Sequence, residues 1–165
     1  MRLDAHGCIM NYEIHVKELP PQVVVTERCH TRLPELGKTM HATLAKVATS
    51  VEPSDAAQGA PFAVYYNEPF KPDDIDVEMG LPVASDARVS EAKGVFRREL
   101  PGGSFAYTIH VGPYRSIGAA YDALYAWVEE EGHRRIGPPR EIYLVGPGEG
   151  VKPEDYRTEI EVPID

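Results

Sequence analysis

Two stretches decide how this chain folds: KELPPQVVV at 17–25 and RELPGGSFA at 98–106. Glu18-Leu19-Pro20 recurs as Glu99-Leu100-Pro101, an offset of 99 − 18 = 81 residues. The same offset pairs Gly37 with Gly118, Ala42 with Ala123, Ala45 with Ala126 and Val47 with Val128. Further along it pairs Lys71-Pro72 with Lys152-Pro153, Asp74 with Asp155, Glu78 with Glu159 and Pro82 with Pro163. Self-similarity at one fixed spacing marks a duplicated structural unit. The matches fall on turns, a helix and a strand end, where structure restricts residue type.

Each half reads β-β-α-β-β. In the first, Tyr12, Ile14 and Val16 alternate with Glu13, His15 and Lys17, the period of a half-buried strand. Pro20-Pro21 is read as a turn, and Gln22 to Arg28 as a Val-rich strand. Pro34 suits the first turn of a helix whose stripe is Leu36, Met40, Leu44, Val47 and Val51. Phe62 to Tyr66 is a strand, and in Asp74 to Val83 apolar residues alternate with acids. The second half repeats this plan. Its helix, Arg115 to Glu131, carries the stripe Ile117, Tyr121, Leu124 and Val128 and stops at Gly132. The expected fold is α+β: duplicated βαββ halves, antiparallel sheets with one long helix each, and a pseudo-two-fold axis with a ligand cleft between the halves. The halves are 11–83 and 95–165, joined by a polar linker 84–94, in a single domain behind a tail of residues 1–10.

Composition narrows the function. The 165 residues are 42% hydrophobic and 26% charged, ordinary for a globular chain. A net charge of −9 speaks against direct nucleic-acid binding, which needs basic residues on phosphates. No apolar stretch has the length of a membrane span, and Met1 to Met10 do not resemble a signal peptide. A cytoplasmic location with Cys8 and Cys29 reduced is expected. His6, Cys8, Cys29 and His30 lack the spacing of a zinc site, so no metal is expected. GPGEG at 146–150 lacks the Lys-Ser/Thr ending of a phosphate loop, no G-x-S-x-G is present, and no cofactor is called for.

One residue breaks the duplication. Glu141 stands in the strand REIYLV, 140–145, while the matching strand of the first half has Tyr65 and Tyr66 and no acid in its middle. Period two puts Glu141, Tyr143 and Val145 on one face and Ile142 and Leu144 on the other. With the apolar pair assigned to the helix side, Glu141 and Tyr143 face the cleft. A buried carboxylate is costly unless compensated. The compensation is an Arg such as Arg140 or Arg157, a Tyr hydroxyl, or a cationic ligand. Aromatic faces attract organic cations, and the chain has many, Tyr65, Tyr107, Tyr114 and Trp127 among them. Stripe spacing assigns Tyr121 to the core. Glu78 and Glu159, equivalent in the two halves, rank second as ligand-binding acids.

HVGPYRSIGAAYDALYAWVEEEGHRRIGPPREIYLVGP, 110–147, followed by YRTEIEVPI, 156–164, resembles the GyrI-like small-molecule-binding domain. That domain is also the effector-binding part of some AraC-type and MerR-type multidrug regulators. The resemblance runs from about Tyr12 onward. Its most specific parts are His110-x-Gly112-Pro113-Tyr114, Trp127, Glu141-x-Tyr143 and Thr158-Glu159-Ile160-x-x-Pro163. It implies an SHS2-type duplicated core with a groove between halves, and a role for Glu141 as the acid that meets lipophilic cations. Only about ten residues precede the first strand, too few for a helix-turn-helix region, so a stand-alone module is expected.

These readings lead to three functions. The first is a binding protein for hydrophobic, cationic small molecules using Glu141, Tyr143, Trp127, Tyr65, Tyr107 and Tyr114, with Glu78 and Glu159 behind them. The second is a hydrolase of strained or activated molecules, with Glu141 as base and Tyr143, Tyr65 or Tyr107 as proton donor; the resemblance implies cyclopropanoids as one such substrate class. The third is a protein-interaction module whose partner is gyrase or a regulator, presenting acidic surface such as Glu129-Glu130-Glu131.

Overall fold

The structure is a computed structural model and describes residues 11–90 and 92–165. The first half contains β1 (His15–Leu19), β2 (Gln22–Thr31), α1 (Leu36–Ser50), a short β3 (Val51–Glu52), β4 (Phe62–Tyr65) and β5 (Ile75–Pro82). A short β6 (Arg88–Val89) follows. The second half contains β7 (Val95–Leu100), β8 (Gly103–Val111), α2 (Gly118–Glu130), β9 (Arg140–Val145) and β10 (Arg157–Ile164).

Eight strands form one sheet in the order β1-β8-β10-β9-β4-β5-β2-β7, with every neighbouring pair antiparallel. Exchanging each strand for its counterpart in the other half reads the order backwards unchanged, which is the signature of the pseudo-two-fold axis. The two half-sheets therefore merge into one, joined along β4–β9.

The first strands do not stay at home. β1 pairs with β8 and β7 pairs with β2, so each half contributes a strand to the sheet of the other. Pro20-Pro21 is thus a crossover and not a hairpin turn. Leu19 and Pro20 both precede a proline, which biases both toward extended backbone, and the chain cannot double back there. The two crossovers touch. A Cβ on Gly102 would collide with the Leu19 carbonyl oxygen and lie 2.7 Å from the Pro21 nitrogen. Gly102 and Pro21 are equivalent positions, since 102 − 21 = 81.

Both helices cover the same face of the sheet. The α1 stripe read from sequence faces the sheet: Val47 and Val51 are buried with Val25, and the half-buried Leu36, Met40 and Leu44 pack against Ile75, Val77 and Met79. Along α2, Ala120, Leu124 and Val128 pack on Ala106, Ile160 and Val162. The opposite face carries a small core of Val24, Phe62, Val64 and Leu100. The polar linker is itself built in: Val89 of β6 pairs with Val51 of β3, and Ala87 joins the core beneath α1. The arrangement of His6 and Cys8 with Cys29 and His30 lies partly outside the described residues.

Overpacking a close backbone crossing costs about 1–3 kcal/mol. Gly102→Ala should lower stability by that amount in urea unfolding. An unchanged midpoint would count against the tight crossing.

Candidate ligand-binding site

The seam sets the site. Across β4–β9, Phe62 faces Ile142, Ala63 faces Glu141 and Val64 faces Arg140. Phe62, Val64 and Ile142 belong to the small core on the far side of the sheet. Ala63, Glu141 and, two residues on, Tyr65 and Tyr143 therefore lie on the helix side. This reverses one expectation: the apolar pair Ile142 and Leu144 is not the helix-facing pair. The cleft opens between the two helices, over the seam, and the helices form its walls.

Glu141 is 8% exposed and is held by two hydroxyls. Tyr121 of α2 donates to Oε2 at 2.5 Å and Tyr143 donates to Oε1 at 3.1 Å. Tyr143 has used its proton on Glu141, so Tyr65, 3.1 Å away, donates to Tyr143. The result is a directed chain, Tyr65 to Tyr143 to Glu141, with Tyr121 closing from the helix. Among the described residues no Lys, Arg or His forms an ion pair with Glu141. Arg140, its neighbour, points through the sheet: it donates to the Pro101 carbonyl at 2.7 Å, lies over the Phe105 ring and pairs with Glu161 at 3.7 Å. Arg157 is exposed. Of the three compensations open from sequence, the tyrosine hydroxyls are the one present.

Burial raises the Glu141 pKa above its usual value, and the bonds from Tyr121 and Tyr143 only partly oppose this. Burial and the neighbouring carboxylate push Tyr65, Tyr121 and Tyr143 well above the usual phenol value, so all three remain donors at neutral pH. Tyr114 is pushed up to about 12 by burial first, then by Tyr156 and Glu141.

Tyr114 reaches the site through the His110-x-Gly112-Pro113-Tyr114 motif. Gly112 has φ +128°, a conformation that side chains disfavour, and it reverses the chain after β8. His110 is fully buried behind it. The Pro113 carbonyl, 3.1 Å from Nε2, can only accept, so Nε2 carries the proton. Nδ1 then accepts from the Tyr12 hydroxyl at 2.9 Å. Burial lowers the His110 pKa, which keeps this neutral tautomer. The pinned turn sets Tyr114 edge-on to Tyr143 and stacked on Tyr156.

These groups line a cavity of about 830 Å³. The α1 wall supplies Leu36, Gly37 and Met40, and the α2 wall Gly118, Tyr121, Asp122 and Tyr125. Tyr65, Tyr143 and Glu141 make the floor, and the segment Tyr66 to Phe70 part of the rim. Six of the nine tyrosines in the chain line the cavity, with three carboxylates, Glu68, Asp122 and Glu141, and, among the described residues, no Lys, Arg or His. The volume is that of a drug-sized ligand site. A second depression, about 880 Å³, runs along the linker at Ser85 to Arg97 and shares none of these residues.

Of the sequence candidates, Glu141, Tyr143, Tyr65 and Tyr114 come together here. Four do not line the cavity. Trp127 packs on the helix side but stacks on His133. Tyr107 is on the far side of the sheet, with Lys17 4.3 Å over its ring. Glu159 is there too, in a 2.7 Å ion pair with Lys17. Glu78 is bound by Arg98 at 2.6 Å, Thr26 at 2.7 Å and Tyr66 at 2.5 Å, which together hold its carboxyl below the usual range despite burial. Their faces follow from strand period: Glu78 and Glu159 alternate with the helix-facing Val77 and Ile160. Tyr121 was missed because its stripe position also fits a core residue. It does extend the stripe, but one turn nearer the helix start than Leu124, where the core gives way to the cavity.

The chain matches the GyrI-like small-molecule-binding domain over residues 12–165. The C-terminal domain of EcmrR is similar at TM-score 0.84 and 25% identity, covering 94% of this chain and 99% of that one. In an EcmrR–DNA complex the similarity is TM-score 0.77 at 24% identity, covering 95% of this chain and 59% of the EcmrR chain. A hydrolase encoded by lin2189 from Listeria innocua shares the fold at TM-score 0.72 and 15% identity, over 93% of this chain and 92% of that one. SAV2435 bound to tetraphenylphosphonium shares it at TM-score 0.58 and 12% identity, over 94% of each. No curated protein matches the chain. With the match spanning both halves, the helices and the seam, the chain belongs to the GyrI-like small-molecule-binding domain family.

Proposed function

We propose that this chain binds hydrophobic organic cations in the cavity between α1 and α2, with Glu141 supplying the charge. The observation that carries this reading is a buried carboxylate hydrogen-bonded by neutral phenols, with no cation beside it among the described residues, in a cavity whose described lining has acids and no bases. A cationic centre entering there gains an ion pair in low dielectric, and the aromatic faces add cation–π attraction. Tetraphenylphosphonium on SAV2435, a distant member of the same fold, is a ligand of this chemistry. The family description supports a small-molecule ligand in general.

A second reading has its own observation. The donor chain from Tyr65 through Tyr143 to Glu141 ends on a carboxylate whose pKa is raised, the condition of a general base able to take a proton from water. Hydrolysis of a strained or activated ligand held over the seam then uses Glu141 as base and a tyrosine as proton donor. Stoichiometric release of product over time, lost in Glu141→Gln, tests it; an unchanged ligand after long incubation rules it out for that ligand. A regulator role is compatible with the same site, since EcmrR carries its similar domain in a DNA-bound chain.

Removing a buried charge partner costs about 2–5 kcal/mol. Glu141→Gln should weaken methyltriphenylphosphonium at least about tenfold in calorimetric titration and leave the neutral triphenylphosphine oxide nearly unchanged. Equal losses for both ligands would exclude a charge role. Trp127 is off the cavity, so ligand heat or dye emission is the proper readout.

The raised Glu141 pKa fixes the sign of the pH dependence. Folding carries a penalty for this group that is full above the folded pKa and fades as pH falls toward the unfolded value near 4.3. Glu141→Gln should therefore be as stable as the parent, or more so, at neutral pH in urea unfolding, and the difference should close on acidification. Cation affinity of the parent should fall over the same window, while that of the variant stays flat. A stability difference that widens in acid would show the opposite shift.

A further inference from the structure

The duplicated halves allow each wall of the cavity to be compared with its own counterpart. At the seam, Ala63 and Glu141 are Cα partners, and Tyr65 and Tyr143 meet through their hydroxyls. Their offsets agree, 141 − 63 = 143 − 65 = 78, against 81 elsewhere. The loop before the seam strand is thus three residues shorter in the second half, 81 − 78 = 3, and the axis passes between Ala63 and Glu141. On the helices Met40 corresponds to Tyr121 and, in the turns before them, Leu33 to Tyr114, both at 81. Gly37 and Gly118 correspond unchanged, and a Cβ on either would meet nothing within 4 Å.

Three pairs at the helix turns and the seam change polarity in the same sense, Leu33 to Tyr114, Met40 to Tyr121 and Ala63 to Glu141: aliphatic or thioether in the first half, phenol or carboxylate in the second. The rim segment Tyr66 to Phe70 has no lining counterpart in the second half and adds Tyr66, Asn67 and Glu68. Glu141 is rooted on the axis, yet its carboxylate turns to the α2 side, where Tyr121 holds Oε2. Glu68 comes from the first half but is drawn to the same side by Arg135, at 2.8 Å, whose guanidinium lies 4.0 Å over Tyr125. The helix walls of the cavity correspond position by position but differ in chemistry.

We infer that the cavity takes an amphipathic organic monocation in one orientation, its charged centre against Glu141 and Tyr121 of the second half and its apolar arm along Leu36 and Met40 of the first. This rests on the cation reading above and narrows it. A symmetric dication of the same span leaves one charge against the α1 wall without a partner, an arrangement that costs affinity.

The test is a series of n-alkyltrimethylammonium ions, from ethyl to octyl, measured by competition against a bound dye. In the parent protein affinity should rise about threefold for each methylene that reaches the apolar wall. Met40→Gln should at least halve that slope and leave the ethyl compound within about twofold. Leu36→Gln repeats the test at a second site on the same wall, in case Met40→Gln misfolds. Glu141→Gln should lower all members by a common factor and keep the slope. Octamethylene-bis-trimethylammonium should bind at least about tenfold more weakly than octyltrimethylammonium. Charge-dependent binding without a chain-length slope, or a bis-cation that binds as tightly as the octyl compound, would overturn the orientation alone. No binding of any member to the parent overturns the cation reading with it.

Discussion

The backbone pairing of β4 with β9 is the constraint on which the rest depends. It fuses two half-sheets into one, places the pseudo-two-fold axis through Ala63 and Glu141, and leaves the strip above the seam uncovered by either helix. α1 covers β2 and β5, α2 covers β8 and β10, and the gap between them is the cavity. A duplicated helix-on-sheet unit thus has a cleft at its own joint, without any element added to build one. What the second half adds is chemistry: a carboxylate where the first half has a methyl group.

That carboxylate explains much of its surroundings. Phenols are suited to it because they donate without bringing a charge. An arginine in their place would neutralise Glu141 and remove the field that a cation experiences. The far side of the sheet makes the contrast. There Glu78 and Glu159 meet Arg98 and Lys17 in short ion pairs and are satisfied within the fold. Acids of the same type divide into ion-paired and cavity-facing groups according to which side of one sheet they occupy.

The duplication, the two helices with their buried stripes and the main strands were legible in the sequence, because repeats and periodicity report local structure directly. Strand partners were not. Pro20-Pro21 reads as punctuation, and only the three-dimensional path shows that it carries β1 across to β8. The side of the sheet that holds the helices was misassigned for a related reason: alternation says that Glu141 and Tyr143 share a face, but not which face the helices cover. Tyr121 was hidden by its place on the apolar stripe, and Trp127 entered as one aromatic ring among many and as part of the resemblance. The loop three residues shorter in the second half also masked the pairing of Tyr65 with Tyr143, because the offset that aligns the helices misaligns the seam.

The exchange of β1 and β7 bears on how such a chain came to be. A half on its own has a place in its sheet that only the first strand of another half fills, and a strand of its own with nowhere to go. Two separate copies satisfy each other by swapping, as in domain-swapped dimers. Joining them through a short linker turns that encounter into an intramolecular one at high effective concentration. It also frees the two copies to diverge, and a homodimer cannot do that: any acid placed on its axis arrives in duplicate, as a facing pair that repels. Glu141 opposite Ala63 is an arrangement open only to the fused chain.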